Sequence, residues 1–315
     1  MSKGVLDLYC GAGGMSHGFQ QDRFFNVKAG VDVWDDALKT YQHNHSANGV
    51  QADLSTADSG QIPVTPDEVQ VITGGPPCKG FSLAGDRNTN DERNQLVARF
   101  IDFVELFNPE VAVMENVVGI LSMDLPKYDR GDVVDYIYER YEELGYSIEH
   151  RVLQADNFGI PQTRSRVFFI AVRDDIGTPA FPAETTPNEV QAVKGVLDQD
   201  FDKYANHDKT NHSQDMVDKI SELGYKESVY DNYSEAWKRL DPDEPAPTIK
   251  ENHGAPFVHP FEDRVGTPRE CAAIQSFPND YTFKGSKSST LKQIGNAVPP
   301  ELAAHVAQAV KSKIY

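Results

Sequence analysis

Apolar and polar positions in the first two-thirds of the chain switch repeatedly between strand-like and helix-like spacing. Residues 5–9 form a short apolar run that ends at Gly11-Ala12-Gly13-Gly14, and residues 15–21 follow as a helix. Residues 27–33 read as a second strand and 35–43 as an amphipathic helix. A third strand falls at 50–53 and a fourth at 69–73, which runs into Gly74-Gly75-Pro76-Pro77. Between 94 and 107, Leu96, Val97, Phe100, Ile101, Val104 and Phe107 recur near helical period. Residues 111–114 read as a buried strand, 133–144 as a helix and 167–172 as another strand. Such alternation predicts an open, mostly parallel sheet covered by helices on both faces.

The alternation lapses between about 173 and 263, where apolar runs are short and Pro, Asn and Asp are frequent. This stretch is expected to be a second domain or large insertion. Helical pattern returns at 269–275, and again at 301–313 behind Pro299-Pro300. The division predicted is 1–172 plus 263–315 for the sheet domain and 173–262 for the smaller inserted one.

Composition narrows the class. Charged residues are 25% and hydrophobic ones 39%, which is globular usage. No apolar run reaches the roughly 18 residues of a membrane helix, and residues 1–14 do not read as a signal peptide. The three cysteines, Cys10, Cys78 and Cys271, lie far apart, so neither a disulfide framework nor a cysteine-rich zinc site is indicated, and no metal is expected. A soluble, cytoplasmic protein is expected, with no membrane attachment. The charge is less ordinary: 30 Lys and Arg against 48 Asp and Glu give −18. Nucleic-acid binders usually carry a basic excess, so composition alone argues against one. Acidic coats are one adaptation of halophiles.

Several segments carry chemistry. Glycines at 11, 13 and 14 follow the first strand, where backbone must approach any ligand bound beyond the sheet's carboxyl edge. The dinucleotide fingerprint fails, because its third glycine would fall on Ser16. Asp32 and Asp53 close the second and third strands, and an acid about 20 residues beyond the glycines suits a ribose hydroxyl. Cys78 sits between two prolines and Lys79-Gly80, a setting that favours an exposed, rigid loop and an activated thiolate. Glu115 directly follows a buried strand and so opens on the same rim. Arg164 and Arg166, two residues apart before a strand, share a face if extended and can act as a pair toward phosphate, carboxylate or a base edge.

In order, residues 7–14, Gly75-Pro76-Pro77-Cys78, Glu115-Asn116-Val117, Gln162-x-Arg164-x-Arg166, Arg264-x-x-Thr267-x-Arg269-Glu270 and 293–300 resemble the motif series of DNA cytosine-5 methyltransferases. The resemblance runs from about 4 to 311, with a gap at about 173–262. It implies an α/β fold: an S-adenosylmethionine-dependent, Rossmann-like sheet domain with a smaller inserted target-recognition domain. The implied reaction moves a methyl group from S-adenosylmethionine to carbon 5 of a cytosine flipped out of double-stranded DNA.

By that resemblance Cys78 is the nucleophile that adds to carbon 6. Glu115 serves the ring nitrogen and amino edge, and Asn116 orients Glu115. Arg166 contacts the base's carbonyl side, and Arg164 supports it or binds phosphate. The cofactor would meet Tyr9 at its adenine, Gly11, Gly13 and Gly14 at its methionine part, Asp32 at its ribose and Asp53 at the adenine amino group. Pro77, Leu96, Asn296 and Ala297 complete that set. Two positions depart from common family usage: Asp32 stands where Glu is frequent, and Lys79 where Gln is.

The implied partners are double-stranded DNA and a cognate restriction endonuclease acting on the same site, and a monomer is expected. The insertion, with 19 acidic and 9 basic residues over 173–262, is an odd surface to offer DNA. Its Lys203, Tyr204, Lys226, Tyr230, Tyr233, Trp237, Lys238 and Arg239 are candidate contacts, though most of the aromatics suit a small core better. A tRNA methyltransferase of the same fold and a catalytically silent DNA-binding relative stay open at this point. The intact Cys78, Glu115, Arg164 and Arg166 count against the silent relative.

Overall fold

The structure is a computed structural model and describes residues 2–77, 95–123, 133–230, 237–250 and 257–315. Strands β1 (Lys3–Leu8) and β2 (Phe25–Asp32) flank helix α1 (Gly14–Gln20), and α2 (Asp35–Asn44) leads to β3 (Asn48–Gln51). Then come β4 (Val71–Gly74), α3 (Gln95–Phe107), β5 (Val111–Asn116), α4 (Val133–Glu143) and β6 (Tyr146–Gln154). A two-residue β7 (Gln162–Thr163) precedes β8 (Ser165–Arg173).

Seven of these strands form one sheet in the order β3-β2-β1-β4-β5-β8-β6. The first five are parallel, and β8 runs antiparallel to β5. The chain winds outward from β1 to β3, then returns to β4 on the other side of β1. The order therefore reverses between β1 and β4, the place where open α/β sheets bind ligands beyond their carboxyl ends. All six residues of β5 are buried, the near-continuous apolar run of a strand covered on both faces. The stripe read on α3 is real: Val97, Phe100, Ile101, Val104 and Phe107 are all buried. Asn108, in the left-handed region at φ 47°, ends that helix.

Two features depart from expectation. Strand β6 escaped the reading because its burial is interrupted, with Glu149, Arg151 and Val152 exposed along a sheet edge. The expected last strand is present as β8 but runs antiparallel, because β6 and β8 are joined by a short return rather than by a crossover helix.

The chain divides into two compact units, residues 1–153, 165–183 and 303–315, and residues 154–164 and 184–302. The expected cut at 263 thus differs from the observed one, and the 154–164 turn also joins the second unit. Side chains explain this. Within that unit Arg164 donates to the carbonyls of Ile249, Gly295 and Ala297, and Gln162 donates to Gln275.

The second unit has helices α5 (Lys194–Leu197) and α6 (Gln214–Ser221), strands β9 (Lys238–Arg239), β10 (Ala246–Pro247) and β11 (Phe257–Val258), and helices α7 (Pro268–Ile274) and α8 (Lys287–Asn296). Strand β10 pairs with β7 and β11 with β9. The Arg264-x-x-Thr267-x-Arg269-Glu270 motif is structural there. Thr267 and Glu270 form a capping box at the start of α7, and Glu270 also takes a two-pronged Arg264 guanidinium at 3.0 and 2.6 Å. The final helix, α9 (Pro300–Ile314), belongs to the first unit from residue 303 on. No helix among the described residues is long and apolar enough to cross a membrane.

Candidate active site

Register places the carboxyl ends of the central strands side by side. Leu8 is opposite Val31 on β2 and Gly74 on β4, and Gly74 is opposite Met114 on β5. Tyr9 to Gly14, Asp32, Gly75 to Pro77 and Glu115-Asn116 therefore leave the sheet along one rim. The turn after β1 is sharp: Tyr9, Gly11 and Gly13 have φ of 56°, 52° and 90°. An ideal Cβ on Gly11 would meet nothing within 4 Å, so it is the backbone angle and not crowding that calls for glycine there. Tyr9, a non-glycine residue in the left-handed region, is held by its hydroxyl, which donates to the Leu96 carbonyl at 3.2 Å.

Asp32 closes over this turn. Its Oδ2 accepts from the Gly11 amide at 2.8 Å and its Oδ1 from the Trp34 amide at 2.9 Å. Burial raises its pKa, and those backbone amides oppose the rise. A carboxylate offers about four lone-pair sites, so the group keeps capacity for further donors. Asp53 is exposed and takes both the amide and the hydroxyl of Ser55 on Oδ1. Those bonds to its charged form lower its pKa. Pro77 is exposed at the end of its loop, and Leu96 is half-buried at the start of α3.

Glu115 is 8% exposed at the end of β5. Its Oε1 lies 3.0 Å from Arg166 Nε as an ion pair. The antiparallel direction of β8 makes this contact. Asn116 is opposite Val167, so the start of β8 meets the end of β5 and delivers Arg166 to the rim. Gly75 passes so close that a Cβ there would stand 3.1 Å from Glu115 Oε2.

Asn116 does not orient Glu115 through any described hydrogen bond. Its Nδ2 donates to the Pro76 carbonyl at 3.2 Å, and its Oδ1 accepts from the Val117 amide. It ties the loop leading to Cys78 onto β5. Cys78 and Lys79 themselves lie outside the described residues. Cys10 and Cys271 are buried, and burial pushes both thiols up, so neither competes as a nucleophile.

The expected pairing of Arg164 with Arg166 does not hold. Arg166 belongs to the first unit, whereas Arg164 is 1% exposed in the second, with Nη1 and Nη2 committed to three backbone carbonyls. It braces residues 249 and 295–297 and is not presented to phosphate. Gln275 reinforces the same segment by donating to the carbonyls of Ile294 and Ala297 at 3.1 and 2.8 Å. Asn296 is exposed and Ala297 half-buried within that unit.

Most of the basic and aromatic candidates of the second unit are also occupied. Lys226 pairs with Glu244, Arg239 is buried on Asp263 and the Ile220 carbonyl, and Lys203 lies over the Tyr204 ring. Trp237 packs against Ile220, Val258 and Val265. Tyr233 lies outside the described residues, and Tyr230 is 41% exposed.

Sequence reasoning placed Asp7 at the head of the 7–14 motif but gave it no role. Asp7, 1% exposed, accepts from Ser16 at 2.6 Å and Thr73 at 2.9 Å. Apart from that motif, the local signal was an acid inside an apolar strand.

A family model described as C-5 cytosine-specific DNA methylase matches residues 4–312. The type II methyltransferase M.DdeI of Desulfomicrobium norvegicum is 35% identical, covering 97% of this chain and 88% of that protein. The type II methyltransferase M1.HphI of Haemophilus parahaemolyticus is 34% identical, covering 98% and 87%. Among solved structures, a prophage-encoded protein of E. coli, described provisionally as a DNA modification methyltransferase, superposes with a TM-score of 0.78 over 99% of both chains at 24% identity. That last likeness is one of fold.

Proposed function

Because the chain belongs to the C-5 cytosine-specific DNA methylases and is therefore an S-adenosylmethionine-dependent DNA cytosine-5 methyltransferase, we propose that it acts on a cytosine flipped out of double-stranded DNA, through a covalent adduct on Cys78. The observation that carries this reading is the Glu115 carboxylate. It is nearly buried at the sheet rim, ion-paired to Arg166, and adjoins the Gly75-Pro76-Pro77 loop that leads to Cys78.

The residues at the rim suit the cofactor. The left-handed turn at Gly11 and Gly13 brings half-buried Gly11 backbone to the rim with no side chain in the way, and Asp32, fixed by two amides, retains lone pairs for a ribose diol. Among the described residues, Asp53 Oδ2 carries no hydrogen bond and suits an amino donor such as that of adenine. Tyr9, Gly14, Pro77, Leu96, Asn296 and Ala297 remain its proposed further contacts. When bound, S-adenosylmethionine supplies an electrophilic methyl group on a sulfonium.

The chain's own groups act on the base. Cytosine carbon 5 is a poor nucleophile until carbon 6 is saturated. The Cys78 thiolate adds to carbon 6 as Glu115, which takes up a proton when the base is bound, gives that proton to nitrogen 3, leaving an enamine with electron density on carbon 5. After methylation a base, water in this reading, removes the carbon 5 proton. Cys78 then leaves and nitrogen 3 returns its proton to Glu115. Arg166 gives Nη1 to the Ser165 carbonyl and turns Nε to Glu115, which steadies the carboxylate; among the described residues Nη2 carries no hydrogen bond, which suits it to the base carbonyl. Asn116 holds the loop before Cys78.

The type II relatives support a restriction–modification role, in which the second unit reads the target and the product resists a cognate endonuclease. Conversion sequencing of duplex DNA treated with the pure protein and S-adenosylmethionine reports activity and target together. Duplex DNA carrying 5-fluorocytosine at that target should trap a covalent complex with the wild type and not with Cys78→Ser. Methylation of tRNA but not duplex DNA, or turnover retained by Cys78→Ser, would overturn the proposal.

A further inference from the structure

Asp7 is the middle of a hydrogen-bonded chain that runs across the sheet beneath the rim. On β1 it is opposite Gly30 on one side and Thr73 on the other. Thr73 Oγ1 donates to Asp7 Oδ1 at 2.9 Å, and Ser16 Oγ, in the first turn of α1, donates to Oδ2 at 2.6 Å. Ser16 in turn meets Tyr41 Oη of α2 at 3.1 Å. Gly30 is what lets Tyr41 reach that far, since a Cβ there would stand 2.4 Å from the ring. Four elements, β1, β4, α1 and α2, thus converge on one carboxylate that solvent does not reach. Ser16, the position where the dinucleotide fingerprint fails, is one of its two hydroxyl donors.

The placement is unlike that of an ordinary core group. Asp7 is four residues before Gly11 on its own strand, and Thr73 is five residues before Cys78 on the next. We propose that Asp7 is a positioning residue for methyl transfer. By accepting from Ser16 and Thr73 together, its carboxylate holds the glycine turn of the cofactor side and the loop of the nucleophile side in one register. This rests on the function proposed above and adds the coupling between its two halves.

The carboxylate is an expensive way to join two hydroxyls. Burial pushes the Asp7 pKa up to about 6, against the lowering effect of the two hydroxyls and of the Ser16 backbone amide, and Asp32 on β2 raises it slightly further. Burial pushes the Cys10 thiol up, and His45, stacked on Tyr41 at 4.5 Å and edge-on to His17, is pushed down to about 4. The protonated acid can accept at only one oxygen without competing for its own proton, so the double acceptor weakens as pH falls through about 6.

Asp7→Asn tests this, because its amide fills the same volume but accepts at one atom and must donate at the other. The expected result at pH 7.5 is an unfolding temperature equal to or above wild type, with S-adenosylmethionine affinity by titration calorimetry weakened about tenfold, the usual scale for a hydrogen bond to a charged group. Wild-type affinity should fall between pH 7 and 5.5, and the variant's should stay flat. Thr73→Val, which removes one donor, should lower kcat more than it changes cofactor affinity. A folded Asp7→Asn protein with wild-type affinity, pH profile and kcat overturns the proposal. If Asp7→Asn does not fold, a wild-type affinity independent of pH from 7 to 5.5 overturns it equally. Calorimetry needs no DNA substrate, so failure of the methylation reading would be seen separately, as cofactor binding without transfer.

Discussion

Substitution of Gly75 by alanine separates the site from the fold. Its Cβ would lie 3.1 Å from Glu115 Oε2 and 3.9 Å from the Glu115 carbonyl, with no other described atom within 4 Å. Ordinary contact requires about 3.4 Å or more, so the carboxylate must give way by roughly 0.3–0.5 Å. Gly75 does not use the left-handed region, so alanine brings no backbone strain, and its restriction of the unfolded chain contributes about 0.4–1 kcal/mol of stability. The Arg166 ion pair resists the shift. A misplacement of about 1 Å can cost roughly 10²-fold in rate, so a few tenths should lower kcat about tenfold.

Gly74→Ala is the control. Its Cβ would stand 2.3 Å from the Leu8 carbonyl oxygen and 2.9 Å from Phe100, so β1 and β4 must separate. That overpacking costs about 3 kcal/mol or more. Methyl incorporation into duplex DNA and thermal unfolding, measured on both variants, check the argument. Gly75→Ala should unfold within a few degrees of wild type with KM for DNA little changed, whereas Gly74→Ala should lose stability outright. Wild-type kcat in a normally folded Gly75→Ala would refute the claim that the Glu115 carboxylate position controls the reaction.

Glu115→Gln should slow methylation about 10²-fold or more, with cofactor affinity nearly unchanged; loss of cofactor with turnover retained at saturation would place Glu115 elsewhere. His45, buried and with its pKa down at about 4 against an ordinary value of 6.5, is neutral in the fold. The unfolded chain binds its proton first, so stability is full above about pH 6.5 and declines as pH falls toward 4. His45→Gln should flatten that decline in a pH series of denaturation midpoints; an unchanged slope would contradict it. With −18 net charge and Lys194, Lys209 and Lys226 of the second unit already paired to carboxylates, salt should relieve self-repulsion more than it weakens phosphate contacts. Unfolding midpoint and methylation rate should both rise from 0.1 M to above 1 M KCl; a flat or falling midpoint with activity highest at low salt would exclude a halophilic design.

Much of the rim was legible from the chain alone, because strand ends are marked locally. An apolar run followed by glycines, or by a lone carboxylate, announces both the buried strand and the residue that leaves it, which is how Gly11, Asp32, Glu115 and the Gly75-Pro76-Pro77 loop were all found. Periodicity reports which side of an element is buried and nothing about its partner. The direction of β8 was therefore invisible, though it alone brings Arg166 to Glu115. Two arginines with the same local setting proved to have opposite uses: Arg166 faces the carboxylate, while Arg164 is spent on carbonyls as far as 133 residues away in sequence. Asn116 likewise serves Pro76, 40 residues before it. The chain from Thr73 through Asp7 and Ser16 to Tyr41 spans four elements, and its Asp7–Thr73 link joins residues 66 apart. A short sequence window registers such an aspartate only as a polar residue misplaced in a strand. Hydrogen bonds between distant elements form only once the sheet is assembled, so the order of the strands, and not the order of the residues, decides which groups meet.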